Sequence, residues 1–309
     1  MYKYKDVREM NDSLKKADEI VDNVLALINE QAKGKGELMG VSTGFTGLDN
    51  MMCGLHANEM IVIAGRPGVG KTSLVLNIIE SVLLGRDPKP TLIFSLEMLG
   101  EQLYSRMIAS RARIDQHKLS MGRINQEELR GINTVANEFK NAPLWIDETP
   151  ELTIEDIRER ASSLNQCIEG NLGLIVIDYL QLMNPFVRMS SRDQEIAEIS
   201  RGIKAMSKEL MCPVIVISQL NRDSEKDQRN PRPSDLRDSG SIEDDADVIL
   251  LLSRQRKSDT DGELTGTRNW LVRVEVAKQR NGPTGVVTLL FNRSYTRYEN
   301  YLDTENVQA

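Results

Sequence analysis

Met60-Ile61-Val62-Ile63-Ala64-Gly65-Arg66-Pro67-Gly68-Val69-Gly70-Lys71-Thr72 opens on five apolar residues, turns through three glycines and ends on a lysine and a threonine. The apolar run reads as a strand buried on both faces, and the stretch that follows, Thr72 to Leu84, repeats apolar residues at helical spacing. Between them, Gly65 to Thr72 fits GxxxxGK[ST]. Its glycines let the backbone curl until successive N–H groups face one anion, and the partial positive charge of a helix N-terminus adds to them. In that geometry Lys71 reaches the β- and γ-phosphates of a nucleoside triphosphate and the Thr72 hydroxyl ligates Mg²⁺. Gly65, Arg66, Pro67, Gly68, Val69, Gly70, Lys71 and Thr72 are therefore the expected nucleotide-binding residues, with ATP and Mg²⁺ as their ligands. A glycine-rich turn with no ligand is the alternative, and the strand and helix on either side argue against it.

Outward from this stretch, strands alternate with helices. Short runs rich in Ile and Val lie at Met60 to Ala64, Thr91 to Ser95, Leu144 to Ile146, Leu174 to Ile177, Val214 to Ile217 and Val248 to Leu252. Helical patterns fall between them at Thr72 to Leu84, Glu101 to Ala112, Glu127 to Lys140, Ile154 to Leu164 and Asp193 to Leu210. This alternation predicts an α/β fold with a mostly parallel central sheet flanked by helices. Beyond Trp270 the pattern changes: Trp270 to Ala277 and Gly285 to Phe291, joined through Asn281-Gly282, read as a late antiparallel hairpin at the sheet edge. The polar segment Arg222 to Ser241 is too long for an idle connection and is a candidate functional loop.

Ahead of this core, Leu14, Ala17, Val21, Val24 and Ile28 recur at spacings of three and four, the stripe of an amphipathic helix that ends at Lys33-Gly34-Lys35-Gly36. A short isolated helix needs a surface for its apolar face, either on its own domain or on a neighbouring subunit. The expected division is residues 1–37 as linker helix and flexible linker, and residues 38–309 as one α/β domain.

The 309 residues suffice for one sizeable core plus a small extra element. Apolar residues make up 40% and charged residues 28%, with no run long enough to span a bilayer, which excludes a membrane-spanning helix and predicts a soluble chain. The first ten residues lack the apolar core of a secretory signal, so the cytoplasm is the expected location. Cys53, Cys167 and Cys212 show no CxxC spacing, which argues against a disulfide framework or a zinc site. A net charge of −7 excludes a generally basic nucleic-acid surface, so any such contact must come from particular loops or from a ring that concentrates a few basic residues in its centre.

Further chemistry-bearing residues sit at strand ends. Asp178 closes Leu174-Ile175-Val176-Ile177, where open α/β sheets bind ligands, and would act on Mg²⁺ at one remove. Glu97 follows Thr91 to Ser95, a position that suits a general base polarising water in line with a γ-phosphate, or simply the start of the next helix, where negative charge is favoured. Gln219 follows Val214 to Ser218, where an amide could sense a γ-phosphate or be a surface group.

Five stretches stand in order: Gly65 to Thr72, Phe94-Ser95-Leu96-Glu97-Met98, Ile177-Asp178-Tyr179-Leu180-Gln181, Ile217-Ser218-Gln219-Leu220-Asn221-Arg222, and Asp235-Leu236-Arg237-Asp238-Ser239-Gly240. Together they closely resemble the RecA-like motor domain of the DnaB-type replicative DNA helicases, over roughly Gly40 to Tyr301. Thr43-Gly44-Phe45-Thr46-Gly47-Leu48-Asp49 and Ala277-Lys278-Gln279-Arg280-Asn281-Gly282-Pro283 resemble the family too.

The resemblance implies a RecA-like P-loop ATPase that assembles as a hexameric ring, hydrolyses ATP between subunits, translocates along single-stranded DNA and unwinds forked duplex, with a primase and a helicase loader as partners. It implies Glu97 as catalytic base, Gln219 as γ-phosphate sensor and Arg106 as an additional basic residue near the nucleotide. Lys278 and Arg280 match the basic pair inserted into the neighbour's site, although an exposed hairpin arginine is by itself most simply a solvated charge. Arg237, Asp238 and Gly240 match the loop that grips the DNA backbone; from the residues alone, Arg237 beside Asp235 and Asp238 could equally be a solvated charge cluster. Family members usually carry a helical N-terminal domain ahead of the linker helix, so the chain is expected to be a fragment or a shortened relative. A recombinase-like or clock-protein-like ATPase that assembles without unwinding, and a nucleotide-gated adaptor, are competing functions. Glu97, Gln219 and Arg280 together argue against the adaptor, since a pure binder needs neither base nor finger.

Overall fold

Ile61 and Ile63 belong to one face of the strand β1 (Met60–Gly65), while Met60, Val62 and Ala64 belong to the other, and all five are buried. This two-residue alternation builds a core on each side of the sheet. A computed structural model describes residues 16–33, 38–221, 229–236, 240–255 and 269–301. The first face is covered by α2 (Thr46–Met52), α3 (Lys71–Leu84), α4 (Gly100–Ala112) and α6 (Gln126–Lys140), which supply Leu48, Leu74, Ile78, Leu103 and Phe139. The second is covered by α7 (Ile154–Cys167), α8 (Arg192–Glu209) and the short α9 (Gly240–Asp245), with Ile157, Ile199, Ile203 and Ile242. The five-residue α5 (Gln116–Ser120) buries none of its residues.

The sheet has the order β3-β2-β4-β5-β1-β6-β7-β8-β9. Its first six members, β3 (Leu144–Asp147), β2 (Thr91–Ser95), β4 (Leu174–Asp178), β5 (Val214–Gln219), β1 and β6 (Val248–Arg254), run parallel. Then β7 (Asn269–Gln279), β8 (Gly285–Asn292) and β9 (Arg297–Asn300) continue antiparallel. The expected strands appear within a few residues of the predicted bounds. The hairpin, however, does not form the edge: β9 pairs outside β8, so it is β9 that closes the sheet.

From β1 the chain crosses over β5 and β4 to reach β2, and β1 lies between β5 and β6. The carboxyl ends of β1, β4 and β5 consequently open into one crevice, where sheets of this class receive ligands. Register aligns those ends, with Gly65 beside Gln219 and Ser95 beside Asp178.

The chain divides into two units, Met1–Met39 and Gly40–Ala309. In the first, α1 (Ala17–Lys33) carries the expected apolar stripe, with Ile20, Val21, Val24, Leu25 and Ile28 exposed; Leu14 lies outside the described residues. Among the described residues no helix is long and apolar enough to cross a membrane.

Candidate functional site

The loop after β1 takes a shape that only glycine adopts cheaply. Gly68 and Gly70 have φ of +75° and +100°, and Gly70 is the N-cap of α3. A Cβ at Gly70 would stand 2.7 Å from the Tyr298 hydroxyl. That tyrosine, from β9, stacks on Phe291 at 4.5 Å and donates to Val69 O at 2.8 Å, so the last two strands brace the loop from behind. Tyr298 in turn is placed by α3, since its amide donates to Asn77 Oδ1 at 2.7 Å and its neighbour Arg297 pairs with buried Glu80 at 2.9 Å. Sequence reading missed Tyr298 because its hydrogen-bond partners, Asn77 and Val69, lie more than two hundred positions away; an aromatic residue within the stretch that resembles the family was its only signal.

The loop and the first turn of α3 line a cleft of about 900 Å³ that also receives Glu97, Arg106, Asp178 and Gln219. Lys71 Nζ donates to Gly65 O at 2.9 Å and Arg66 O at 3.3 Å. Burial holds its ammonium below the usual lysine range, although the charges of Asp178 and Glu97 oppose that shift. Thr72 Oγ1 donates to Asp178 Oδ2 at 3.2 Å. Burial pushes the Asp178 carboxyl up to about 6, with the Thr72 hydrogen bond opposing and the charge of Glu97 adding.

These two oxygen donors side by side suit Mg²⁺, a hard cation that takes few protein ligands and keeps waters and substrate oxygens for the rest. Among the described residues there is no cluster of three or more acidic, His or Cys side chains that could hold a metal ion. When bound, Mg²⁺ would neutralise phosphate charge and relieve the desolvated Asp178 carboxylate.

Glu97 lies three residues ahead of the first residue of α4, in a turn shaped by Ser95 Oγ donating to Met98 O at 2.6 Å. It is therefore no helix-start residue; its charge acts on both Lys71 and Asp178. Arg106 projects from α4 into the same cleft, where its charge acts on Asp178. Gln219 ends β5, and its backbone N–H donates to Gln181 Oε1 at 3.4 Å while Gln181 Nε2 donates to Ser218 Oγ at 2.9 Å. Gln181, within a quoted stretch yet given no role in the sequence reading, thus ties the ends of β4 and β5 together. Of the loop residues, Arg66 turns its side chain away, donating from Nη2 to Arg229 O at 3.3 Å, so Arg66 contributes backbone rather than charge to the cleft.

The structure does not bring Lys278 and Arg280 to this cleft. The Arg280 amide donates to Asp247 O at 2.9 Å, and Asp247 Oδ2 accepts from the Met60 amide at 2.8 Å, at the amino end of β1. The five steps from Met60 to Gly65, at roughly 3.3 Å each, separate the two edges by about 17 Å. Lys278 Nζ donates to the Glu243 and Asp244 carbonyls of α9. Gly240 begins α9 and is exposed; Arg237 and Asp238 lie outside the described residues. Nearby, Asp235 is held by Arg229 through two contacts of 2.6 Å, which keeps its carboxyl below the usual range.

The family model described as "DnaB-like helicase C terminal domain" matches residues 40–300. The chain is 39% identical over 304 residues to the replicative DNA helicase DnaB of Buchnera aphidicola subsp. Baizongia pistaciae, covering 96% of this chain and 64% of that protein. It is 41% identical over 281 residues to the replicative DNA helicase DnaB of Geobacillus stearothermophilus, covering 90% and 60%. Among solved structures, one described as the ATPase domain of G40P superposes with a TM-score of 0.83 at 31% identity, over 92% of this chain and 99% of that one. A DnaB-like replicative helicase, described with its interactions with primase, superposes with a TM-score of 0.81 at 31% identity, over 95% and 68%. The chain spans less than two thirds of the length of these curated relatives.

Proposed function

The chain belongs to the DnaB-like helicase C-terminal domain family, and we propose that it is the ATP-hydrolysing motor of a replicative DNA helicase. One observation carries this reading: Lys71, Thr72, Glu97, Asp178 and Gln219 share a single cleft, while Lys278 and Arg280 sit at the opposite edge of the same sheet. A site divided in this way is completed by a second copy, which supports a ring, here a hexamer of identical chains, with ATP between subunits.

In this reading residues 1–37 are the linker segment and residues 38–309 the motor, acting in the cytoplasm. Lys71 neutralises the β- and γ-phosphates, while Thr72 would ligate Mg²⁺ and Asp178 would hold it at one remove. Glu97 takes the proton of the attacking water, Gln219 reports the γ-phosphate, and Arg106 adds positive charge beside the nucleotide. From the neighbour, Arg280 and Lys278 meet the charge that develops on the transferring phosphoryl group. Arg237, Asp238 and Gly240 grip the backbone of single-stranded DNA, so that successive hydrolysis events draw it through the ring and part the duplex at a fork. A primase and a helicase loader are the partners of such a motor.

Strand displacement on a forked DNA substrate tests the function. ATP-dependent displacement is expected, and ATP hydrolysis and DNA binding with an intact fork would favour an assembly ATPase instead. Arg237→Ala should weaken single-stranded DNA binding and lower the slope of log affinity against log salt by about one, since one phosphate contact is lost.

A further inference from the structure

The amino edge of the sheet holds a buried acid with no part in the ATP cleft. Asp247 lies between α9 and β6, and its Oδ2 accepts from the Met60 amide at 2.8 Å and from Lys204 Nζ at 2.6 Å. Lys204, from α8, also donates to Asn58 O at 2.6 Å, so it is fixed at both sides. The other carboxylate oxygen, Oδ1, faces Arg280 Nε at 3.6 Å, and the Asp247 carbonyl accepts from the Arg280 amide at 2.9 Å. Arg280 Nη2 donates to Asp244 O at 2.6 Å, at the carboxyl end of α9, where the helix dipole favours a cation. The next residue, Asn281, donates to Glu59 Oε1 at 3.4 Å, pinning the turn to the residue before β1. The guanidinium is thus steered from one side by a buried carboxylate and from the other by a helix end.

We propose that Asp247 is a positioning residue for Arg280, setting the direction in which the arginine leaves its own subunit toward the neighbour's nucleotide. This rests on the reading that Arg280 acts in trans. As a stabilising ion pair the contact counts for little, because the arginine side chain is 46% exposed and the separation is long. Its consequence is orientation. A long arginine has many rotamers to lose on engaging phosphate, and one already aimed loses fewer. Lys204 makes the arrangement sustainable, since it balances the buried charge while leaving Oδ1 turned to the arginine.

Mixed-subunit ATPase measurements separate this role from a merely structural one. Asp247→Asn should lower kcat by up to about a hundredfold with nucleotide affinity unchanged, because the P-loop of the altered subunit is intact. Mixed with Lys71→Ala subunits it should regain part of its activity, since its P-loop then meets a correctly aimed Arg280. Mixed with Arg280→Ala subunits it should regain none. If Asp247→Asn does not fold, the double variant Asp247→Asn/Lys204→Gln, which leaves neither charge unpaired, takes its place. Full activity of the variant alone overturns the proposal, as does rescue by Arg280→Ala, or no rescue by Lys71→Ala while Arg280→Ala and Lys71→Ala rescue one another. If that last pair fails to rescue despite proven co-assembly, the in-trans reading itself falls, and the mount with it.

Discussion

Lys71 and Asp178 in the cleft and Asp247 at the amino edge of the sheet handle buried charge in opposite ways. In the cleft, Lys71 rests on the carbonyls of its own loop and is pushed toward its neutral form, while Asp178 is pushed up to about 6. Burial outweighs the compensation available to each. At the amino edge, Asp247 has a lysine at 2.6 Å and a backbone amide at 2.8 Å, so its charge is satisfied within the fold. Cleft charges stay costly until a charged ligand arrives, which makes them a binding site; the Asp247–Lys204 pair is already met within the fold, which makes it a mount.

The strongest test of this contrast is Lys71→Ala. It should abolish ATP turnover, a loss of about a thousandfold or more, with little change in the melting temperature, because the two carbonyl contacts it removes are offset by relief of a desolvated charge. Steady-state ATPase and thermal denaturation on the same preparation check both halves, and unchanged turnover would refute the cleft assignment. Glu97→Gln should reduce hydrolysis by about a hundred- to ten-thousandfold while retaining nucleotide binding, since a base acts in the transition state. Loss of binding in an equilibrium titration would make Glu97 structural. At the other edge, Lys204→Met should do the reverse of Lys71→Ala, destabilising the fold by about 3 kcal/mol because Asp247 is left buried with only the longer-range charges of Arg280 and Lys278 to oppose it. Denaturant titration showing no loss would mean that water reaches Asp247. The smallest effect is expected from Tyr298→Phe, which removes the hydrogen bond to Val69 O but keeps the ring stacking, at about 1 kcal/mol. A weaker grip on nucleotide should accompany it, visible as a raised KM, if β9 does brace the phosphate loop.

How far the sequence could be read depended on how local each signal was. Five of the six parallel strands announced themselves as apolar runs because both of their faces are buried, whereas β3, at the sheet edge, is only partly buried and showed itself by its apolar residues alone. The phosphate loop was legible because its shape depends on glycines inside it. By contrast β9, Arg297-Tyr298-Glu299-Asn300, places a single apolar side chain in the core and otherwise binds α2 and α3 through polar groups, so no periodic pattern marks it. The helices α2, α5 and α9 are too short for a helical repeat to show. Glu97 was ambiguous from residue types alone, and the start of α4 three residues later removed the helix-start alternative.

Local chain chemistry was therefore enough to specify the order of strands and helices, the phosphate loop and the carboxylates at strand ends, because each depends on residues within a few positions of one another. Which edge of the sheet every charge faces, and so the distance of Arg280 from its own P-loop, follows from strand pairing between segments up to two hundred residues apart. The same holds for Tyr298 behind the loop and for Asp247 beside Arg280. Those contacts are made by backbone register, which places side chains that carry no trace of their partners in the sequence around them.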